Sequence, residues 1–149
     1  MIVLSENILE KRFESGLKRG IVLRTIIDFS TKQKFKRLLL LNIDFKDKEI
    51  LFIFNTSSVD WYKQNINSPI VKENCIFFDK GETTNNITEN MVIDCRKVYS
   101  IAKSDLFNNF KNSKLDFLDE FNEKIILRID NIIKNSKLIE LKYLRKIIR

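Results

Sequence analysis

Apolar residues along this chain follow three different rhythms. In the first nineteen residues, Ile8, Leu9, Phe13 and Leu17 fall near one face of a helical projection. Ser5 is placed to cap that helix and Glu6 sits in its first turn, while Gly16 or Gly20 can end it. From residue 20 the rhythm changes to short apolar runs rich in β-branched and aromatic residues. Ile21–Phe29, Arg37–Ile43, Ile50–Thr56 and Cys75–Asp79 are predicted strands. Met91–Cys95 and Lys97–Ile101 predict one bent strand or two. Ser30–Lys36 is expected as a polar loop, and Asp44–Glu49 as a turn that makes a hairpin of the runs on either side. Runs that are continuously apolar, rather than alternating, predict strands buried on both faces.

The third rhythm begins at Ser104-Asp105, a predicted helix start followed by Leu106, Phe107 and Phe110. Leu115, Leu118, Phe121, Ile125, Ile129, Ile132 and Ile133 then form a stripe at helical spacing over about five turns. Asn135-Ser136 interrupts it, and Leu138, Leu141, Leu144 and Ile148 predict a second helix with a basic opposite face. This tail is expected either to pack on the strands or to present a surface for a partner, a second copy, RNA or lipid. Thr83–Asn90 is polar and loop-like, of a length that suggests mobility or function. No long helix pattern interrupts residues 20–101, so a parallel sheet is not expected, whereas a small, strongly bent antiparallel sheet or barrel is. The expected divisions are a helix over 1–19, a β-unit over 20–106 and a helical extension over 107–149.

Composition narrows the chemistry. The 149 residues include 27 Lys and Arg against 20 Asp and Glu, a net charge of +7, and no His. Without His there is no Ser-His-Asp or Cys-His nucleophile system. Two Cys cannot complete an all-cysteine tetrahedral metal site, and no metal or other cofactor is implied. Three scattered Gly cannot build a phosphate-cradling glycine loop. Catalysis, if present, runs on carboxylates, Arg, Lys, Tyr or hydroxyls. Cys75 and Cys95 are expected as reduced, buried thiols of a cytoplasmic protein. Met1–Glu6 turns acidic too early for a signal peptide, and no apolar run approaches a membrane span. The chain holds 22 Ile, 19 Lys and 15 Asn but one Ala, a bias that explains part of the positive charge as codon usage.

Several clusters combine groups suited to a phosphate and a base. Lys32, Lys34, Lys36 and Arg37 surround Phe35, a basic segment with an interleaved aromatic. Arg37 also abuts a run of four Leu, where a guanidinium is held rigidly enough to clamp a phosphate. Asn55-Thr56-Ser57-Ser58 ends an apolar strand with anion-binding hydroxyls, or with ordinary turn chemistry. Asp60-Trp61-Tyr62-Lys63 offers a base-stacking ring beside a cation, or an aromatic edge to the core. Asp94 and Arg96 share a strand face if the strand is regular, as a structural ion pair or as a base or orienting group beside a phosphate ligand.

In their order along the chain these pieces resemble the PemK/MazF family of toxin endoribonucleases, over roughly residues 18–106. Gly20-Ile21-Val22-Leu23 looks like the family's opening strand, Lys36-Arg37 and its Leu run like the segment entering the second strand, and Asn55-Thr56-Ser57 like the strand ending in Thr-Ser. Val92–Val98 looks like the late strand that keeps an Asp and an Arg close together, and Ile101–Leu106 like the start of the final helix. Ile21 replaces an Asp frequent in the family, Leu38 the usual Pro, and Val92 an Arg of some members. The resemblance implies an α+β protein built on a small SH3-like antiparallel β-barrel, here with an N-terminal helix and a helical C-terminal extension. It implies metal-independent cleavage of single-stranded RNA, homodimerisation and a cognate antitoxin, protein or RNA. It assigns catalysis to Arg37, Thr56 and Asp94, and RNA binding to Lys34, Lys36, Ser57, Trp61, Lys63 and Arg96. The alternative is a catalytically inactive barrel of this type that binds RNA or a protein partner.

Overall fold

The computed structural model describes residues 5–29, 32–42, 48–79 and 90–147. Most of the expected turn at 44–49 and of the polar loop at 83–90 lies outside these residues. The chain opens with helix α1 (Glu6–Gly16), whose N-cap Ser5 accepts a hydrogen bond from the backbone N–H of Ile8. Strands β1 (Ile21–Phe29), β2 (Lys32–Leu40) and β3 (Glu49–Thr56) follow. Two short helices, α2 (Asp60–Gln64) and α3 (Pro69–Asn74), lead to strands β4 (Cys75–Phe78) and β5 (Met91–Ala102). The chain continues through helix α4 (Lys103–Lys111), strand β6 (Leu115–Glu120) and helices α5 (Glu123–Asn135) and α6 (Leu141–Ile147).

The class is therefore α+β. The six strands form one antiparallel sheet in the order β4-β5-β3-β2-β1-β6. Among the described residues this sheet is open, with β4 and β6 at its two edges, rather than the closed barrel expected.

Strand β3 shows why the apolar runs lack alternation. Leu51 and Ile53 point into one core with Ile93, Ile125, Ile129 and Ile133. Ile50 and Phe52 point into a second core with Phe13, Leu17, Leu38 and Leu106. Helices α5 and α6 cover the first face, α1 and α4 the second, so the central strands are buried on both sides. Helix α5 packs on the sheet through Ile125, Ile129 and Ile133, which are all buried. A third, smaller cluster of Val71, Cys75 and Val92 packs with Tyr62 at the far end of the sheet.

Three expectations are corrected. Residues 115–120 are a strand, not part of a helix, because the edge of β1 offers backbone partners: Leu23 pairs with Phe117 and Thr25 with Leu115. The expected boundary at 106 falls inside α4, and β6 makes the C-terminal segment part of the sheet. The polar stretch before Arg37 is mostly strand, since Lys32–Lys36 pair in register with Thr25–Phe29 of β1. Helices α2 and α3 carry no apolar periodicity long enough to be anticipated.

Gly20 links the layers. Its φ of +87° suits glycine, its N–H donates to Leu40 O at 2.9 Å, and its carbonyl accepts from Phe121 N–H at 3.0 Å. Arg19, next to it, pairs with Asp130 of α5. Cys75 and Cys95 are free and buried. Among the described residues no helix is long and apolar enough to cross a membrane.

Candidate functional site

Strand β3 runs between β2 and β5, and this single fact assembles the site. Its end pairs Asn55 with Arg37 on one side and with Ile93 on the other, while Phe54 pairs with Asp94. Groups nearly sixty residues apart in sequence thus stand one strand apart in space. A cleft of about 430 Å³ opens at this end of the sheet. Lys36 and Arg37 of β2 line one wall. Thr56 and Ser57 lie where β3 ends, and Trp61, Tyr62 and Arg96 form the opposite wall.

Thr56 Oγ1 accepts a hydrogen bond from the Ser58 N–H at 3.0 Å. That bond fixes the hydroxyl and leaves its own proton to be donated. Trp61 is 48% exposed, with Tyr62 edge-on at 5.1 Å between ring centroids. The Arg96 guanidinium carbon lies 4.6 Å from the Trp61 ring centroid, a cation–π pair that steadies both. Arg24 stacks similarly on Phe35 at 4.1 Å.

Asp94 organises the second wall from behind. Its Oδ1 accepts from the Arg96 backbone N–H at 3.0 Å and from Nε at 2.9 Å. Its Oδ2 accepts from Arg96 Nη2 and from the Tyr62 hydroxyl, both at 2.7 Å. The Cys75 thiol approaches Oδ1 at 3.7 Å. Burial by itself would raise the Asp94 pKa, but the hydrogen bonds from Arg96 and Tyr62 outweigh it and hold the carboxyl below its usual value. Burial and the Asp94 charge push the Cys75 thiol up to about 12, so it stays protonated at neutral pH. Tyr62 is raised for the same two reasons, burial first and then its bond to Asp94.

The linkage gives a testable sign. A carboxyl whose folded pKa lies below its unfolded value, about 3.9, stabilises the fold at every pH above that value. The contribution disappears as pH falls through the lower folded pKa. Asp94→Asn is therefore expected to lower Tm at pH 7 and to flatten the decline of Tm below about pH 4. Thermal melts at a series of pH values check this; a variant whose acid decline parallels wild type would exclude the assignment.

The cleft brings together Lys36, Arg37, Thr56, Ser57, Trp61 and Arg96, with Asp94 one contact behind. Lys34 and Lys63 are exposed and do not line it. Adjacency in sequence placed them with Arg37 and Trp61; Lys34 shares the strand face of Lys36 but lies one pair farther along β2, beyond the lining. Two participants stood in the candidate clusters without being given a role of their own. Tyr62 is the second ligand of the Asp94 carboxylate, and its only sequence signal is its neighbour Trp61. Asn55 lines the cleft although only 4% exposed, and its buried Oδ1 has no hydrogen-bond partner among the described residues. A polar residue ending a run of five apolar ones was the signal available for it.

No family model matches this chain, and no curated protein is significantly similar to it.

Proposed function

We propose that this chain is a toxin-like endoribonuclease that cleaves single-stranded RNA without metal, using the cleft between β2, β3 and α2. The observation that carries this is the convergence of Lys36, Arg37 and Arg96 with the Thr56 hydroxyl and the exposed Trp61 ring in one cleft. A nucleotide has the matching chemistry: phosphate oxygens for the cations, and a π-face for the indole. The 2′-oxygen of the RNA forms a bond to phosphorus while the bond to the 5′-oxygen breaks. The 2′-hydroxyl proton passes to solvent and the departing 5′-oxygen takes one up, leaving a 2′,3′-cyclic phosphate and a 5′-hydroxyl. Arg37 stabilises the charge that builds on the phosphate, and Thr56 donates to one of its oxygens. Asp94 is a positioning group on this reading. With its pKa lowered and both oxygens engaged it is a weak base, and its work is to aim Arg96 and Tyr62.

The open sheet is taken, within this proposal, as a relative of the SH3-like barrel. A cognate antitoxin, protein or RNA, a homodimer and a cytoplasmic setting belong to the same proposal. One observation favours the alternative, a module that binds RNA without cutting it: among the described residues the side chains lining the cleft include no carboxylate to act as a base, and the chain has no imidazole. Incubating the purified chain with single-stranded RNA in excess chelator, followed by end-group analysis, decides between them. Cyclic phosphate and 5′-hydroxyl ends are expected. Saturable binding with intact RNA would establish the binding module instead.

A further inference from the structure

A second groove, of about 560 Å³, adjoins the cationic cleft and shares Phe54 with it. Its volume lies within the range of ligand sites, about 300–1,000 Å³. Its chemistry is the reverse of its neighbour's. Among the described residues the cationic cleft is lined by Lys36, Arg37 and Arg96 and by no acidic group, whereas this groove is lined by Asp28, Asp105 and one cation, Lys114. One wall is aromatic: Phe52 and Tyr99 stack at 5.5 Å between centroids and 15° between planes, and Phe54 meets Tyr99 at 4.7 Å. The amide of Asn109 is oriented by its neighbours. Its Nδ2 donates to Thr25 Oγ1 at 3.0 Å and to the Ile26 carbonyl at 3.1 Å, which leaves the side-chain carbonyl as an acceptor.

We propose that this groove is a base-recognition pocket for guanine in the RNA whose phosphate occupies the cationic cleft; the inference rests on the RNA reading of that cleft and deepens it. The carboxylates repel a phosphate and accept from N–H donors, so the groove takes the part of a nucleotide that is rich in donors and flat enough for the aromatic wall. Among the four bases, guanine alone presents two adjacent donors on its Watson–Crick edge, N1–H and the 2-amino group. Those two match the two oxygens of one carboxylate. Adenine and cytosine place a ring-nitrogen acceptor beside their amino group, and uracil flanks its one N–H with two carbonyls; a carboxylate meets repulsion in each case. Lys114, the cation among the described lining residues, is assigned within this proposal as the donor to the guanine O6.

The test uses the full chain and non-cleavable 2′-fluoro pentanucleotides of the form UUXUU, with X as G, A, C, U or inosine, measured by fluorescence anisotropy. The guanine oligomer is expected to bind about tenfold tighter than the other three standard bases. Inosine, which lacks the 2-amino group, should fall toward the level of adenine. The double variant Asp28→Asn, Asp105→Asn keeps the shape of both exposed side chains. It should abolish the guanine preference while retaining affinity for the uridine oligomer. Equal binding of all five oligomers to wild type, or a guanine preference that survives in the double variant, overturns the pocket and leaves the cationic cleft standing. Absence of binding to any of them overturns both.

Discussion

Arg37→Ala is expected to lower the rate of RNA cleavage by about 10²–10³-fold, the usual cost of removing one charge-stabilising donor from a reacting centre. The loss should fall on kcat more than on KM. The charge that Arg37 meets grows as the phosphorus gains its fifth ligand, so the interaction is stronger in the transition state than in the ground state. The neighbouring cations Lys36 and Arg96 line the same cleft and continue to hold the ground-state phosphate. Arg37→Lys should restore only part of the rate, because an ammonium keeps the charge but loses the planar, two-point clamp. Lys34→Ala and Lys63→Ala are the informative controls. Both remove a positive charge from the same two segments, but neither side chain lines the cleft. They should weaken RNA binding slightly at low salt and leave kcat unchanged. Steady-state kinetics on a defined RNA, with thermal melts to confirm folding, measures all four variants. Equal losses for Arg37→Ala and Lys63→Ala would mean that net charge, not the cleft, handles the RNA.

How much of this was visible in the sequence follows from which forces are local. Strand β3 is legible because burial on both faces writes an unbroken apolar run, and β1 because it is rich in β-branched residues. The start of α1 is legible because Ser5 caps it through its own side chain, a contact that spans only a few residues, whereas the start of α5 at its cap Asn122 was hidden inside a longer helical stripe. Strand β6 was not legible. Leu115, Leu118 and Phe121 satisfy a helical spacing, and Leu115 and Phe117 satisfy an alternating one equally well. The choice is made by the edge of β1, nearly a hundred residues away, and Leu118 is left 46% exposed as a result. The site divides in the same way. Arg37, Thr56 and Asp94 were associated through the order of family-like segments, and β3, paired with both β2 and β5, is what stands those segments side by side. Tyr62 reaches Asp94 only because five residues coil into α2, a helix too short to leave a pattern.

The same long-range pairing sets the second large effect: a chain truncated after Lys111 should not fold. Treated as an appended helix, the C-terminal segment looks dispensable. In the structure it supplies the outer strand beside β1 and the cover over one face of the sheet. Truncation removes the buried side chains Leu115, Phe121, Ile125, Ile129, Ile133, Ile139 and Ile147. It also uncovers Val22, Leu39, Leu41 and Ile53 on the strands beneath. Burial of each large apolar side chain contributes about 1.5–3 kcal/mol, which the truncated chain lacks. Seven together exceed much of the range of net stability of a domain, about 5–15 kcal/mol, even before the uncovered strands are counted. The 1–111 chain is therefore expected to show no cooperative thermal transition, to lose its near-UV circular dichroism and to bind a hydrophobic dye. Deleting only residues 141–149 is the contrasting case. Among the described residues of that segment only Ile147 is fully buried, with Tyr143 and Leu144 packed partly against the core. That shorter deletion should lower Tm and still leave a cooperative transition. If the 1–111 chain melts cooperatively, the sheet is complete without β6, and the C-terminal segment is an appendage rather than a layer of the fold.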